Sequence, residues 1–407
     1  MTDAINGGAG KTPEKIEHLL PVGGTLDAVE LSIVVPALNE EITVGEFVDW
    51  CQEGLRKANV RGQILIIDSS SDKTPQIALE HGAEVLRTPK RGLGRAYIDA
   101  IPYIRGKWIV MGDADLTYDF RELTPFVEKF KSGYEFVMGS RFDGSIEDGA
   151  MPGLHRYFGT PLTTWILNRI YHSRYSDIHC GLRGITKAAL EKINLRSQSW
   201  EYASEMVLKA ARLNLKFSEV PVKFYKDREG RVSHHKRMGW ISPWIAGWIN
   251  MKVMLVYTPD TFLIKPGLAL MFIGLLLSGI LSITTFSIGP ITFNLYWMLF
   301  GVTCATLGYG FLQTGVFARL VHGLRPEFTR RINRIKVYNS GMLIASGLIL
   351  AGLCFVAVLA WRYIDHGMRL PEISRPAIFG LLLIILGFQT FCFSLLLEMG
   401  KRITEAK

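Results

Sequence analysis

The chain's 407 residues are 48% apolar and 20% charged, with a mean hydropathy of +0.19. These values exclude disorder over most of the length, which requires low hydrophobicity, and argue against a wholly soluble protein, which would carry roughly 25% charged residues. The 46 Lys and Arg against 37 Asp and Glu leave a net +9, a balance that suits nucleic acid, phosphorylated substrates or an anionic membrane face.

Residues 1–30 hold no continuous apolar run, so they read as a flexible arm without a signal peptide. Within them Gly7-Gly8-Ala9-Gly10-Lys11-Thr12 imitates the end of a phosphate loop, but Ile5 stands where the first glycine is needed and no strand precedes it. Val- and Ile-rich runs at 31–36, 63–68, 84–86, 107–111 and 135–138 predict buried strands. Amphipathic stretches at 44–57, 75–81, 93–104 and 121–130 predict the helices between them. That alternation predicts an α/β domain with a mostly parallel, Rossmann-like sheet, whose ligands bind beyond the carboxyl ends of the strands. Asn39-Glu40, Asp68-Ser69-Ser70 and Asp113-Ala114-Asp115 stand at those ends.

Residues 209–265 carry eleven Lys and Arg against four acids. Trp240, Trp244 and Trp248 recur every four residues there, as in a helix lying in a membrane interface, and 162–171 reads as a second such element. Four segments then lack any charged residue: 267–288, 291–312, 341–361 and 377–397. At about 1.5 Å per residue each spans a hydrocarbon core, which predicts four transmembrane helices. The loop 314–340 has six basic residues (Arg319, Arg325, Arg330, Arg331, Arg334 and Lys336) against Glu327 alone, so the positive-inside rule places it in the cytoplasm. With four spans, the N-terminal region and the tail are then cytoplasmic as well. The expected organisation is an arm (1–30), a cytoplasmic catalytic domain (31–237), interfacial helices (238–265), a four-helix membrane domain (267–397) and a tail (398–407), in a plasma or inner membrane. The five scattered cysteines form no disulfide or zinc pattern.

The strongest chemical signal is Asp113-Ala114-Asp115. Two carboxylates at one strand end repel each other unless a cation lies beside them, and a hard divalent ion takes one or two carboxylates plus substrate phosphates.

Six motifs occur in order: Val35-Pro36-Ala37-Leu38-Asn39-Glu40; Ile67-Asp68-Ser69-Ser70-Ser71-Asp72; Gly92-Leu93-Gly94-Arg95-Ala96; Asp113-Ala114-Asp115; Met138-Gly139-Ser140-Arg141-Phe142; and Ser176-Asp177-Ile178-His179-Cys180-Gly181-Leu182-Arg183. Over about residues 31–240 the chain thereby resembles a family 2 glycosyltransferase of the GT-A fold, of the polyprenyl-phosphate (dolichol-phosphate) mannose or glucose synthase type. The resemblance implies that Pro36, Ala37, Asn39, Glu40, Asp68, Ser70, Gly94, Gly112, Asp113 and Ala114 hold a GDP- or UDP-sugar. It also implies that Asp113 and Asp115 bind Mg²⁺ or Mn²⁺, with Thr117 at the place of a third ligand. Arg141 matches the family's acceptor-phosphate arginine, and Arg156, Arg228 and Lys236 join it around a polyprenyl phosphate. Asp177 orients Arg183 or the acceptor, or forms a structural ion pair. Asp115, Arg141, Asp177 and Arg183 are the catalytic set. Membrane is a partner and nucleic acid is not; homo-oligomerisation stays open.

Two features depart from the family pattern. Asp68-Ser69 replaces a paired Asp, and Thr117 stands where mannose synthases typically place Gln. A processive polysaccharide synthase would carry a Gln-x-x-Arg-Trp helix, which this chain lacks. A noncatalytic membrane scaffold is disfavoured by the intact Asp113, Asp115 and Arg141.

Overall fold

The computed structural model describes residues 14–24, 27–228, 252, 255–321, 337–369 and 373–405. Lys236, the three-Trp row and the basic loop beyond Arg319 lie outside the described residues. Two compact units are formed, Met1–Val253 and Met254–Lys407.

The first unit is built on an eight-stranded sheet. Its strands are β1 (Glu17–Leu19), β2 (Leu31–Ala37), β3 (Gly62–Asp68), β4 (Glu84–Arg87), β5 (Trp108–Met111), β6 (Phe136–Ile146), β7 (Arg183–Thr186) and β8 (Phe217–Phe224), in the order β1-β4-β3-β2-β5-β7-β6-β8. Strands β4, β3, β2 and β5 are mutually parallel, while β7 runs antiparallel to both β5 and β6. Helices cover the sheet: α1 (Val44–Lys57), α2 (Thr74–Glu80), α3 (Leu93–Ala100), α4 (Thr124–Lys131), α5 (Thr160–Tyr171), α6 (Lys187–Ile193) and α7 (Tyr202–Arg212). Covered on both faces, β2 has no polar alternation, and Leu31, Ile33, Val34 and Val35 are all fully buried. Register then places the chemistry. Ala37 pairs with Asp68, and β5 stops at Met111 beside Val34, so Gly112 to Asp115 begin just past the sheet.

Three sequence expectations change here. The arm over 1–30 contains β1, which pairs antiparallel with β4 and is anchored by His18 Nε2, 3.0 Å from Glu84 Oε2. Three residues were too short a run to show in the pattern. The strand expected over 135–138 continues to Ile146 through an irregularity between Ser140 and Ser145, where β6 slips its pairing with β8. The helix over 93–104 ends at Ala100 and gives way to a tight 3₁₀ turn at Ile101–Tyr103, which contains Pro102.

Among the described residues, the second unit has four apolar helices long enough to cross a membrane. They are α8 (Lys265–Ile283), α9 (Leu295–Val321), α10 (Val337–Asp365) and α11 (Arg375–Glu405). Their bounds depart from the uncharged segments. The end of the first segment and the start of the second form a hairpin, β9 (Phe286–Ile288) and β10 (Ile291–Phe293), instead of helix. β-branched Thr284 and Thr285 leave the helix, Gly289 adopts φ +57°, and Phe286 stacks on Phe293 at 4.7 Å. At the other end, α9 runs past the uncharged stretch because Arg319 is paired with Asp260.

Helices α8 and α9 meet along a seam of small residues. A Cβ on Gly274 would lie 2.2 Å from the Ala305 backbone nitrogen, and one on Gly308 would lie 2.4 Å from that of Met271. By contrast a Cβ on Gly310 meets nothing within 4 Å. In lipid such close backbone approach replaces the hydrophobic effect as the force that joins helices. Gly274→Ala is therefore expected to lower thermal stability in detergent by about 1–3 kcal/mol, the usual cost of overpacking, whereas Gly310→Ala leaves it unchanged. Equal melting of the two variants would contradict this seam.

Candidate active site

The ends of β2 and β3 are tied together. Asn39, in the left-handed region at φ +57°, donates its backbone N–H to Ser70 Oγ at 2.7 Å, and its Oδ1 accepts the Ser71 N–H at 3.0 Å. Glu40 donates its N–H to Thr74 Oγ1 at 2.9 Å and begins the turn into α1. Pro36, Ala37, Asn39, Glu40, Asp68 and Ser70 are thus brought to one place. Asp68 is fully buried, with Arg87 Nε 3.1 Å from Oδ2. Burial raises its pKa against the opposing influence of Ser70 and Arg87.

The next loop is pinned on both flanks. Tyr97 donates its O–H to the Gly112 carbonyl at 3.2 Å, and Thr43 at the start of α1 donates to the Ala114 carbonyl at 2.9 Å. Thr117 donates both N–H and O–H to Asp115 Oδ1, at 3.0 and 2.6 Å. Its hydroxyl proton is thereby committed to holding the carboxylate. A Cβ on Gly181 would lie 2.8 Å from Asp113 Oδ2, so that glycine leaves the carboxylate its room. No cluster of three or more His, Cys, Asp and Glu suited to a metal occurs among the described residues. Asp113 and Asp115 therefore fit a hard divalent ion that completes its shell with diphosphate oxygens, not a cage made of protein alone.

Gly94 lies elsewhere in its surroundings. A Cβ there would fall 2.1 Å from the Ser197 carbonyl oxygen, and one on Gly92, at φ +112°, would fall 2.3 Å from that of Gln198. The loop 197–199 occupies the space, so chain packing accounts for both glycines.

Arg141 sits in the irregular stretch of β6, where a bulge re-aims a side chain. Its Nε is 2.6 Å and its Nη2 2.9 Å from the two oxygens of Asp177, and its own N–H reaches Oδ2 at 3.3 Å. Arg141 is 7% exposed and Asp177 fully buried. Of the alternatives for Asp177, the structure has the ion pair, made with Arg141 and not with Arg183. Arg183 is itself buried and donates to the carbonyls of Cys180 (2.7 Å), Ala203 (3.0 Å) and Gly181 (3.4 Å), so it holds backbone. Arg156, half-buried, lies 5.6 Å over the Tyr157 ring, and exposed Arg228 pairs with Glu46.

Residues the motifs did not single out complete the wall. Tyr118, buried, accepts the Gly181 N–H at 2.8 Å and so joins the Asp113 loop to the Asp177 loop. Glu219 accepts N–H bonds from Ser176 and Asp177; burial, the larger influence, raises its pKa. His179 is pushed down to about 4 by burial, against the pull of Asp177. Tyr118 stood in the sequence three residues after the metal motif's end, but only the fold brings Gly181 to it.

The comparisons with known proteins agree with this architecture. Residues 32–193 match the model for glycosyl transferase family 2, and residues 316–401 that for the glycosyltransferase family 2 C-terminal transmembrane region. The low-salt glycan biosynthesis hexosyltransferase Agl6 of Haloferax volcanii is 32% identical over 375 residues, covering 91% of this chain and 89% of that protein. The dolichyl-phosphate hexose transferase of the same organism is 27% identical over 209 residues, 50% of this chain and 86% of that one. Among solved structures, mannosyl-3-phosphoglycerate synthase from Rubrobacter xylanophilus aligns with a TM-score of 0.42 at 23% identity, over 56% of this chain and 74% of that one. The chain belongs to glycosyl transferase family 2. It is an integral membrane glycosyltransferase with a mostly parallel α/β domain and, among the described residues, four C-terminal apolar helices.

Two outcomes follow from the buried groups. Asp177→Ala strands a guanidinium away from water and is expected to cost about 3–5 kcal/mol of stability, measurable by denaturant unfolding; a cost near zero would mean the pair is solvated. His179 gives a pH effect of known sign. The unfolded imidazole binds a proton near pH 6.5 while the folded one resists until about 4. Stability is therefore full above about 6.5 and falls as pH drops toward 4. His179→Gln should flatten the melting temperature between about pH 6.5 and 5, and an unaltered slope would refute the assignment.

Proposed function

We propose that the protein transfers one hexose from a GDP- or UDP-type sugar nucleotide to a polyprenyl phosphate, of the undecaprenyl or dolichyl type, with inversion at the sugar carbon and at the cytoplasmic membrane face. The observation that carries this reading is the single wall formed by Asp113 and Asp115 with the Arg141–Asp177 pair, joined through Tyr118 and Gly181. The names of the relatives, a hexosyltransferase and a dolichyl-phosphate hexose transferase, support it, as does the basic loop 314–340 for the orientation.

The chain's own groups divide the work. Asp68, a buried carboxylate at the end of β3, suits an N–H or O–H of the nucleoside, with Asn39 and Ser70 fixing the two strand ends around it. Asp113 and Asp115 would hold Mg²⁺ or Mn²⁺, which supplies Lewis-acid stabilisation of the departing diphosphate. Thr117 keeps Asp115 aimed. An acceptor phosphate monoester, with its second pKa near ~6, is largely dianionic at pH 7 and needs no strong base. Its oxygen forms the bond to the anomeric carbon as the bond to the nucleoside diphosphate breaks. What the site must supply is a cation that orients this oxygen without quenching it. Arg141, half-neutralised by Asp177 through Nε and Nη2, presents Nη1 for that purpose. Arg156 and Arg228 add positive charge nearer the surface, and Lys236 would extend it. The exposed Leu162 and Trp165 of α5 suit the membrane interface or the lipid tail.

Purified protein incubated with radiolabelled sugar nucleotides, Mn²⁺ and polyprenyl phosphate should yield labelled lipid. Asp115→Asn should cut turnover by at least about 10²-fold while the protein stays folded. A folded wild-type protein that labels lipid from no common donor would defeat the reading, and an active Asp115→Asn would remove the metal role.

A further inference from the structure

The turn before α5 and α5 itself carry an apolar stripe turned away from the protein: Leu154, Tyr157, Phe158, Leu162 and Trp165 are all exposed, Tyr157 by 76% and Trp165 by 64%. The other side of this helix is linked to the acceptor end of the site. Thr163 Oγ1 lies 2.8 Å from the Gly159 carbonyl oxygen, 3.1 Å from that of Thr160 and 2.8 Å from His179 Nε2, so the hydroxyl and the imidazole share one hydrogen bond. The His179 backbone N–H in turn reaches Asp177 Oδ1 at 3.2 Å, the oxygen that takes Arg141 Nη2. A second tie runs from Asn168 on α5, which exchanges two hydrogen bonds with the Tyr175 backbone at 2.7 and 2.9 Å.

We infer that His179 is a positioning residue that links α5, through Thr163, to the aim of the Arg141 guanidinium at the acceptor phosphate. The inference rests on the proposed function for the identity of the acceptor. A lipid phosphate brings an apolar tail and an anionic head together, and the chain Thr163–His179–Asp177–Arg141 connects the surface suited to one with the cation suited to the other. Glu219 holds the backbone of Ser176 and Asp177 from β8 independently of α5. Loss of the His179 link therefore re-aims Arg141 without dismantling the loop. The donor residues Asn39, Asp68 and Ser70 have no part in the chain of contacts.

Four variants in nanodiscs test this: Thr163→Val, which removes the hydroxyl; Thr163→Ser, which keeps it; His179→Leu; and His179→Gln, whose amide can replace the imidazole in that bond. Thr163→Val and His179→Leu should each raise KM for polyprenyl phosphate about tenfold, with KM for the sugar nucleotide unchanged. The Ser and Gln variants should stay within about twofold of wild type. The Val–Leu double variant should be no worse than the worse single one, because both cut one link. Amide hydrogen exchange without substrate gives a readout independent of the acceptor: residues 177–182 should exchange faster in the Val and Leu variants, and residues 113–117 should not. Unchanged exchange over 177–182, additive effects, or a parallel rise in donor KM would each overturn the coupling. A wild-type protein that shows the exchange difference yet glycosylates no lipid phosphate would instead overturn the acceptor assignment.

Discussion

The loop 176–182 and the strand it packs on depend on a buried ion pair. Removing Arg141 and Asp177 from water costs several kcal/mol per ion, and only a two-pronged contact with further hydrogen bonds offsets that. The fold supplies both. The bulge in β6 turns Arg141 out of the strand's alternation, and the loop 176–182 brings Asp177 to it. That loop is held by Glu219 from β8, by Arg183 through the Cys180 and Gly181 carbonyls, and by Thr163 and Asn168 from α5. A guanidinium so constrained has little rotamer entropy left to lose, so its position is set before any ligand arrives.

The two units solve opposite burial problems. In the first, helices cover a mostly parallel sheet, and Asn39, Asp68 and Asp113 gather at or just past the strand ends, where such sheets bind ligands. In the second, the helices present apolar side chains outward, and glycines at the α8–α9 seam let the backbones touch. Asp260 and Arg319 are tolerated near the helix ends because they pair.

How much of this was readable in the sequence follows from the range of the interactions. The parallel strands and the carboxylates just beyond them were legible, since strand, turn and Asp113-Ala114-Asp115 are local and each residue's neighbours in sequence decide them. The four apolar helices were legible in number but not in extent. Charge counting cannot see that Thr284 and Thr285 favour extended backbone, or that Arg319 finds Asp260 59 residues away. The packing of the Gln198 and Ser197 carbonyls against Gly92 and Gly94 was not legible either, because nothing local announces it. The same limit hid the partner of Asp177. Arg183 is six residues from it and Arg141 thirty-six, yet the distant one wins, because β6 and the 176–182 loop meet only in the folded sheet.

The net charge of +9 also changes meaning at the site. A phosphate that must attack cannot be surrounded by unopposed cations, since each would lower the charge on the attacking oxygen. Here Arg141 is shared with Asp177, Arg87 with Asp68, and Arg228 with Glu46, so each of these three cations is partly neutralised by a carboxylate. On the proposed function, the same pairing that makes burial of Arg141 tolerable would weaken its pull on the acceptor oxygen, so that it could orient that oxygen without quenching it. Stability and the proposed reactivity thus ask for one arrangement of Arg141 and Asp177.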